Sequence, residues 1–309
     1  MVVVVYRMPE QARNTLLSLT PAFQHNVTES DYEVIVVENA SDQVLGEKAV
    51  LSYGRNFKYY YRDDNTVSPA GAINFAVERS DSDMVGIMVD GARMVTPGVL
   101  QFVLAAQRMS ANAVVAVPGY HIGEGLQQDT IHSGYDEEAE KALLKRIGWP
   151  DEGYRLFEIS CLSGSCAHGF FNPNAESNCL CLSKKIYDAV GGCDVRFDLP
   201  GGGLLNLDFY KRVCEYKQSE LFILPGEGTF HQFHKGVTTG DRPESREELL
   251  ERMRQQYVNI RGEKYRPPVK EAIYLGKLSP PAMKFILHSA ERAISRRVRE
   301  MASQQNGRN

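Results

Sequence analysis

Apolar residues along the first third of the chain fall into short unbroken runs, separated by stretches with helical spacing. Val2–Tyr6, Tyr32–Glu38, Lys58–Arg62, Met84–Val89 and Ala113–Pro118 read as strands, rich in Val and Ile. Between them, Pro9–Leu19, Ser68–Arg79 and Pro97–Gln107 carry apolar residues at helical spacing, each with a proline at or near its start. Buried strands alternating with helices of this length predict βαβ units, and right-handed crossovers then give a mainly parallel, doubly wound sheet covered by helices on both faces. Ligands of such sheets bind at the carboxyl ends of the strands.

The rhythm breaks at residues 119–178, which are rich in Gly, His, acids and aromatics and hold one clear helix, Glu137–Ile147. An insertion of this size builds either a lid or second-substrate pocket, or a surface excursion packed by its own aromatic rings. Pro200-Gly-Gly-Gly203 then predicts a turn, Leu204–Val213 a helix and Leu221–Leu224 a strand. Beyond residue 240 the chain becomes charged and helical from Ser245 to Asn259, passes two Pro-Pro pairs, and ends in a helix over Pro281–Met301. The expected division is 1–240 for the main domain and 241–309 for a helical extension. In the last helix Met283, Leu287, Ala290, Ile294 and Val298 form a stripe at spacings of three and four, amid Lys284, Arg292, Arg296, Arg297 and Arg299. That stripe is expected to pack on the main domain or on a second copy (a homodimer), with an anionic membrane surface as the alternative.

Composition narrows the class. With 309 residues, 43% apolar and 24% charged, the chain can bury a sizeable core, and its net charge of −4 argues against a nucleic-acid partner. No apolar run approaches the roughly 20 residues that span a bilayer, and the start lacks a basic leader, so a cytoplasmic protein is expected, peripheral to the membrane at most. The six cysteines form no C-x-x-C pair. Reduced, buried thiols are the expectation, with Cys179 and Cys181 on one face of a strand.

Two of the predicted strands end in polar groups on the ligand edge: Glu38-Asn39-Ala-Ser41 and Asp90-Gly91. Together they point to a nucleotide crevice.

The order of motifs resembles the inverting, family 2-type glycosyltransferases of the GT-A fold, over about residues 2–240. Tyr6-Arg-Met-Pro-Glu-Gln-Ala-Arg-Asn-Thr15 is similar to that family's opening strand and helix, and Val34-Ile-Val-Val-Glu38-Asn39-Ala-Ser41 to its nucleotide-base segment. Asn65 through Ala72-Ile-Asn74 resembles its N-x-G…A-R-N helix, and Gly191-Gly-Cys-Asp194-x-Arg196-Phe197 its G-G-F-D-E-R-F acceptor segment. The variants G-G-G-x-x-N-L-D at 201–208 and G-E-G-T-F-H-Q-x-H at 226–234 look like a bacterial branch. Two positions depart from the pattern. The metal-binding D-x-D falls on Asp90-Gly91-Ala92, and alignment on Arg212 puts Asn206 where the family's base stands and Asp208 at its later acid.

The resemblance implies a GT-A type sheet and transfer of a sugar from a UDP- or GDP-linked donor to a glycan or lipid-linked acceptor, with inversion, in the making of a cell-surface polysaccharide. It implies Glu38, Asn39, Ser41, Asn74 and Asp90 for the nucleotide, and Mn²⁺ or Mg²⁺ held by Asp90 with help from His231 and His234. Imidazoles suit Mn²⁺ and can instead donate to phosphate oxygens; Lys235 would add a point charge. Asp208 is the first candidate for the base and Asp194 the second, the alternative for Asp208 being a helix-stabilising role. Trp149 and Arg196 are assigned to the acceptor side, formed by residues 119–178 with the Asp194 segment. Two other readings compete: a catalytically inactive GT-A module that binds nucleotide or glycan, which Ala92 and Asn206 would favour, and a sugar nucleotidyltransferase, which the absence of glycine in Arg7-Met-Pro-Glu disfavours.

Overall fold

In the computed structural model, which describes residues 1–64, 66–234 and 243–306, the long apolar runs become the middle of an eight-stranded sheet. The chain order is β1 (Val2–Val5), α1 (Pro9–Leu17), β2 (Val34–Asn39), α2 (Glu47–Leu51), β3 (Phe57–Arg62), α3 (Ala70–Arg79), β4 (Met84–Met88), β5 (Arg93–Val95), α4 (Val99–Met109), β6 (Ala113–Ala116) and β7 (Gly119–Ile122). There follow α5 (Gln127–Thr130), α6 (Glu137–Arg146), β8 (Ser160–Leu162), β9 (Cys179–Ser183), α7 (Lys184–Ala189), α8 (Leu205–Glu215), β10 (Glu220–Ile223), β11 (Thr229–His231), α9 (Pro243–Arg261), β12 (Ala272–Tyr274) and α10 (Met283–Asn306).

The main sheet runs β12-β10-β6-β9-β4-β1-β2-β3. Its pairs are parallel except those of β9, which is antiparallel to both β4 and β6. Helices cover both faces, so the central strands are apolar on both sides. Val2, Val4, Ile35, Val37, Leu180 and Leu182 point into one core; Val3, Val5, Val34, Val36, Cys179 and Cys181 point into the other. The Cys179/Cys181 face is thus as the period of two requires, and all six thiols are free. The small thiol matters at Cys181, which lies opposite Gly86. A Cβ on that glycine would stand 2.8 Å from Cys181 Sγ and 2.2 Å from Met1 Sδ.

The insertion contributes more than a helix. Its β7 and β8 join β5 and β11 in a second sheet of order β5-β11-β7-β8. Three of these strands continue a main-sheet strand past its carboxyl end: β4 into β5, β6 into β7, β10 into β11. The second sheet therefore stands over the ligand edge of the first. The C-terminal residues are joined to the same body, since β12 pairs with β10 as the sheet's edge strand, and Met253 and Tyr257 of α9 are buried.

The glycine turn before α8 has a backbone reason. Gly201, Gly202 and Gly203 all have positive φ (68°, 80° and 57°), a run that residues with a Cβ adopt only under strain. It turns the chain sharply so that α8 begins with Leu205 and Asn206.

The main domain, one of the surfaces expected to cover the last helix's stripe, does not cover it. Ala282, Phe285 and Ser289 face the domain, and the predicted stripe turns outward: Leu287, Ile294 and Val298 are each about 60% exposed.

Candidate functional site

Asp90 follows β4 at the carboxyl edge, and the two-sheet arrangement brings distant residues to it. In the second sheet Arg93 of β5 pairs with His231 of β11, which pairs with His121 of β7. One guanidinium and two imidazoles so stand side by side, next to Asp90. His234 closes the group: ligand atoms of Asp90, His231 and His234 all lie within 4.8 Å of one another.

Each of these groups is held by a specific partner. Asp90 Oδ1 accepts the Ala92 N–H at 3.0 Å and Oδ2 accepts Arg93 Nε–H at 2.8 Å. Burial pushes its carboxyl up, but Arg93, His234 and these hydrogen bonds outweigh it and hold the group below its ordinary value, ionised. His231 Nδ1 is 2.7 Å from Gln127 Oε1, while Gln127 Nε2 donates to the His231 carbonyl at 3.0 Å. An amide oxygen only accepts, so the Nδ1 proton is fixed and the Nε2 lone pair faces His234 Nε2, 3.0 Å away. Burial keeps His231 and His234 below the usual imidazole range. Burial, reinforced by Arg93, lowers His121 to about 4, and its Nδ1 accepts the Gln127 N–H.

The segment carrying the histidines is locked from two sides. On α1, Gln11 donates to the Phe233 carbonyl and Asn14 to Gln232 Oε1, both at 2.9 Å, while Thr15 donates to the Gly91 carbonyl at 2.7 Å. From α6, Glu140 Oε2 accepts the Phe233 N–H at 2.6 Å and the Tyr135 hydroxyl at 3.0 Å. The insertion's helix thus fixes the site rather than standing apart from it.

Two neutral imidazoles and one carboxylate, with ligand atoms this close together, suit a first-row divalent cation such as Mn²⁺. The D-x-D departure also has a structural reading. Ala92 is fully buried, and its carbonyl accepts the Gln232 N–H at 2.8 Å, so its side chain lies inside the protein and the histidines occupy the open side. In this group Arg93 Nη1 is buried without a partner among the described residues, as is Asn39 Oδ1 at the end of β2, two strands along the same edge.

Other sequence-nominated residues are engaged elsewhere. Glu38 is fully buried; Oε1 accepts the Leu45 N–H and Oε2 accepts the Gly46 N–H and the Tyr59 hydroxyl, so its carboxylate ties down a loop and does not face the crevice. Asn74 holds the N–H and carbonyl of Cys193, joining α3 to the 191–194 segment. Ser41 closes a turn with Gln43. Asp208 is 1% exposed and receives Arg212 Nε at 2.8 Å, Arg261 Nε at 2.6 Å and Arg261 Nη2 at 2.8 Å. As placed, it is a strut between α8 and α9, closed to an incoming hydroxyl. Asp194 binds Arg196 and Arg261, and the Arg196 hydrogen bonds above all hold it down at about 2, a weak proton acceptor. Trp149 donates to Asn14 Oδ1 at 3.3 Å and packs on Phe23. That puts it beside α1, on the histidine side, and not with Arg196, which is exposed next to Asp194. Glu227 is buried under Thr96, Gly98 and Tyr154. Asn65 and Lys235 lie outside the described residues.

The residues that sequence reasoning missed are Arg93, Gln127, His121 and Glu140. Arg93 and His121 gain their place from register across strands far apart in the chain, and Gln127 and Glu140 from helices that the fold packs against that sheet.

Comparison with known proteins follows the same lines. The profile of glycosyl transferase family 2 matches residues 1–172. Among solved structures, the 1–349 fragment of S. aureus TarS in complex with UDP-GlcNAc is similar at a TM-score of 0.51 and 16% identity, covering 84% of this chain and 66% of that one. The UDP complex of the same fragment matches at 0.51 and 14%, with 84% and 65% covered. GalNAc-T7 with UDP, GalNAc and Mn²⁺ matches at 0.51 and 11%, with 82% and 47% covered. The chain therefore spans about two thirds or less of the chains it resembles. No curated protein matches it by sequence.

Proposed function

The chain belongs to glycosyl transferase family 2, and from that premise we propose that it moves a sugar from a UDP-linked donor to a hydroxyl acceptor with inversion at the anomeric carbon. The observation that carries this reading is the convergence of Asp90, His231 and His234 at the carboxyl edge, with the unpartnered Arg93 Nη1 beside them. A departing nucleoside diphosphate needs its developing charge neutralised at the moment of bond breaking, and preorganised cationic and donor groups supply that.

In this reading Asp90, His231 and His234 hold a divalent cation, which when bound would neutralise charge on the diphosphate. Arg93 donates its free Nη1 to a phosphate oxygen while its Nε keeps Asp90 oriented. Gln127 fixes the His231 tautomer, so the site meets its ligand already arranged. Asn39 offers an acceptor at the end of β2 for the nucleoside. UDP is preferred over GDP because UDP complexes are recorded for both structural neighbours. The reading keeps 1–240 as the catalytic domain and 241–309 as an extension, whose β12 supplies the sheet's edge strand.

The test is calorimetric titration of UDP, with and without Mn²⁺, joined to detection of bound Mn²⁺ by electron paramagnetic resonance. Mn²⁺-dependent UDP binding that vanishes in His234→Ala supports the proposal. Release of UDP from a UDP-sugar then separates an enzyme from an inactive binding module.

A further inference from the structure

An inverting transfer needs a proton acceptor on the far side of the sugar from the diphosphate, and neither Asp208 nor Asp194 is placed to be one. We propose that Glu176 is the general base. The proposal rests on the transferase reading above and deepens it.

Its place follows from the one antiparallel strand of the main sheet. β9 is paired with Cys179 opposite Met88 and Leu180 opposite Ala116. The chain just before β9 therefore emerges at the carboxyl edge of β4 and β6, the edge that carries Asp90. Glu176 lies three residues before the strand, half-buried, and meets the first turn of α8. Asn206 Nδ2 donates to Glu176 Oε2 at 2.7 Å and also to Asn178 Oδ1 at 2.9 Å.

The contrast with the other acids is electrostatic. Both oxygens of Asp208 are taken by the guanidinium groups of Arg212 and Arg261, and hydrogen bonds from Arg196, with the nearby Arg261 charge, hold Asp194 below its ordinary range. Glu176 has amide partners, which orient a carboxylate without a net charge, and among the described residues it has no ion pair. An amide cannot itself accept a proton at neutral pH, so Asn206 positions and Glu176 accepts.

The step balances as one displacement. The acceptor oxygen forms a bond to the anomeric carbon, and the bond from that carbon to the diphosphate oxygen breaks, its electron pair leaving with UDP. The hydroxyl proton passes to Glu176 and then to solvent.

The experiment uses the full chain, Mn²⁺ and UDP-GlcNAc, UDP-glucose and UDP-galactose as probes with water as the acceptor. UDP release, UDP affinity and thermal unfolding are measured for wild type, Glu176→Gln, and Glu176→Gln combined with Asn206→Asp. Glu176→Gln should slow release by about 10²–10⁴-fold, with UDP affinity and thermal unfolding unchanged. The added Asn206→Asp, which puts a carboxylate at the adjoining position, should restore part of the rate. Release by Glu176→Gln within about threefold of wild type, below what general-base loss costs, would overturn the role while leaving the transferase reading intact. Wild type that binds UDP yet releases none from any probe would overturn both.

A second observation, independent of the first, concerns α10. From residue 264 to 306 the chain carries nine Lys or Arg against three acids, although the whole chain is net −4. The same segment presents Leu287, Ile294, Val298 and Met301 outward, each 57–65% exposed. On a helical wheel Glu291 borders this stripe on one side and Arg297 on the other, with Arg299 and Arg292 farther round, while Lys284 donates back to the Glu158 and Ser160 carbonyls. We infer that this face lies on an anionic lipid surface. Pairing two such helices would bring the arginines of both copies together, which disfavours a second copy of the chain as the occupant. The full chain should co-sediment with phosphatidylglycerol-containing vesicles and not with phosphatidylcholine alone, and Ile294→Asp should weaken the binding about tenfold or more, as loss of one buried Ile would. No sedimentation, sedimentation indifferent to Ile294→Asp, or a dimer in ultracentrifugation that Ile294→Asp dissociates would each overturn it.

Discussion

His231 Nε2 and His234 Nε2 lie 3.0 Å apart, and the Gln127 amide fixes which nitrogen of His231 carries the proton. Removing that amide frees the ring to rotate and change tautomer. Gln127→Leu should therefore weaken Mn²⁺ binding about 10–100-fold, the usual cost of losing a hydrogen bond that orients a ligand. His234→Ala should lose the bound-Mn²⁺ signal altogether. Electron paramagnetic resonance titration in the absence of donor reads both, and unchanged affinity in either variant would dissociate these side chains from the metal.

Arg93 has one nitrogen on Asp90 and one without a partner. Arg93→Gln keeps a polar side chain but loses the charge and the fork. UDP affinity should fall by about 1.5–3 kcal/mol, the range for a hydrogen bond to a charged group. Calorimetry with Mn²⁺ present checks this, and wild-type affinity would remove Arg93 from the diphosphate site.

Asp208→Asn tests the strut. The substitution leaves Arg212 and Arg261 without their buried carboxylate, and breaking a buried pair by removing one partner typically costs about 3–5 kcal/mol. Urea unfolding should show that loss. UDP release per folded molecule should stay within a few-fold of wild type, since both carboxylate oxygens already serve arginines. Stability near wild type with turnover abolished would reverse the assignment and return the base to Asp208.

These predictions mark where sequence reading succeeds and where it stops. The central strands of the main sheet are legible because both their faces are buried, so Val34–Val37 or Met84–Met88 shows apolar character without help from neighbours; the exposed edge strand β12, in a stretch that reads as a Pro-rich linker, is not. Asp90, His231 and His234 were legible as residue types at strand ends. Their partners were not: Arg93, Gln127 and His121 acquire meaning through cross-strand register and a one-turn helix, which leave no local pattern. Glu38 misled for a related reason. A carboxylate at a strand end looks alike whether it faces a ligand or caps a loop, and the N–H groups of Leu45 and Gly46 decide it. The α10 stripe is legible as a stripe, and its exposure in the single chain leaves the main domain out as what covers it, because periodicity gives the face but not what meets it.

Glu227 is fully buried beneath the Thr96 hydroxyl, the Gly98 N–H and the Tyr154 hydroxyl. Burial raises its carboxyl to about 7 from an ordinary 4.5, against the opposing pull of those hydrogen bonds. A group whose folded value is raised binds its proton more tightly when folded, so its stabilising contribution is complete below the ordinary range and is lost as pH rises through about 7. The neutral imidazoles His121, His231 and His234 act in the opposite sense, because unfolding lets them take up protons at acid pH. Glu140, also raised to about 7 by burial, acts in the same sense as Glu227. The overall pH curve thus mixes signs, and the informative quantity is the difference between wild type and Glu227→Gln. Glutamine retains an oxygen for Thr96 and Gly98 and cannot ionise. Its stability relative to wild type should climb by about 2–3 kcal/mol from about pH 5 to about pH 8, at about 1.4 kcal/mol per unit of displaced pKa. Urea unfolding at four pH values across that span measures the difference. A flat difference would mean that Glu227 ionises in the folded protein as readily as in the unfolded chain, and that its three donors offset its burial.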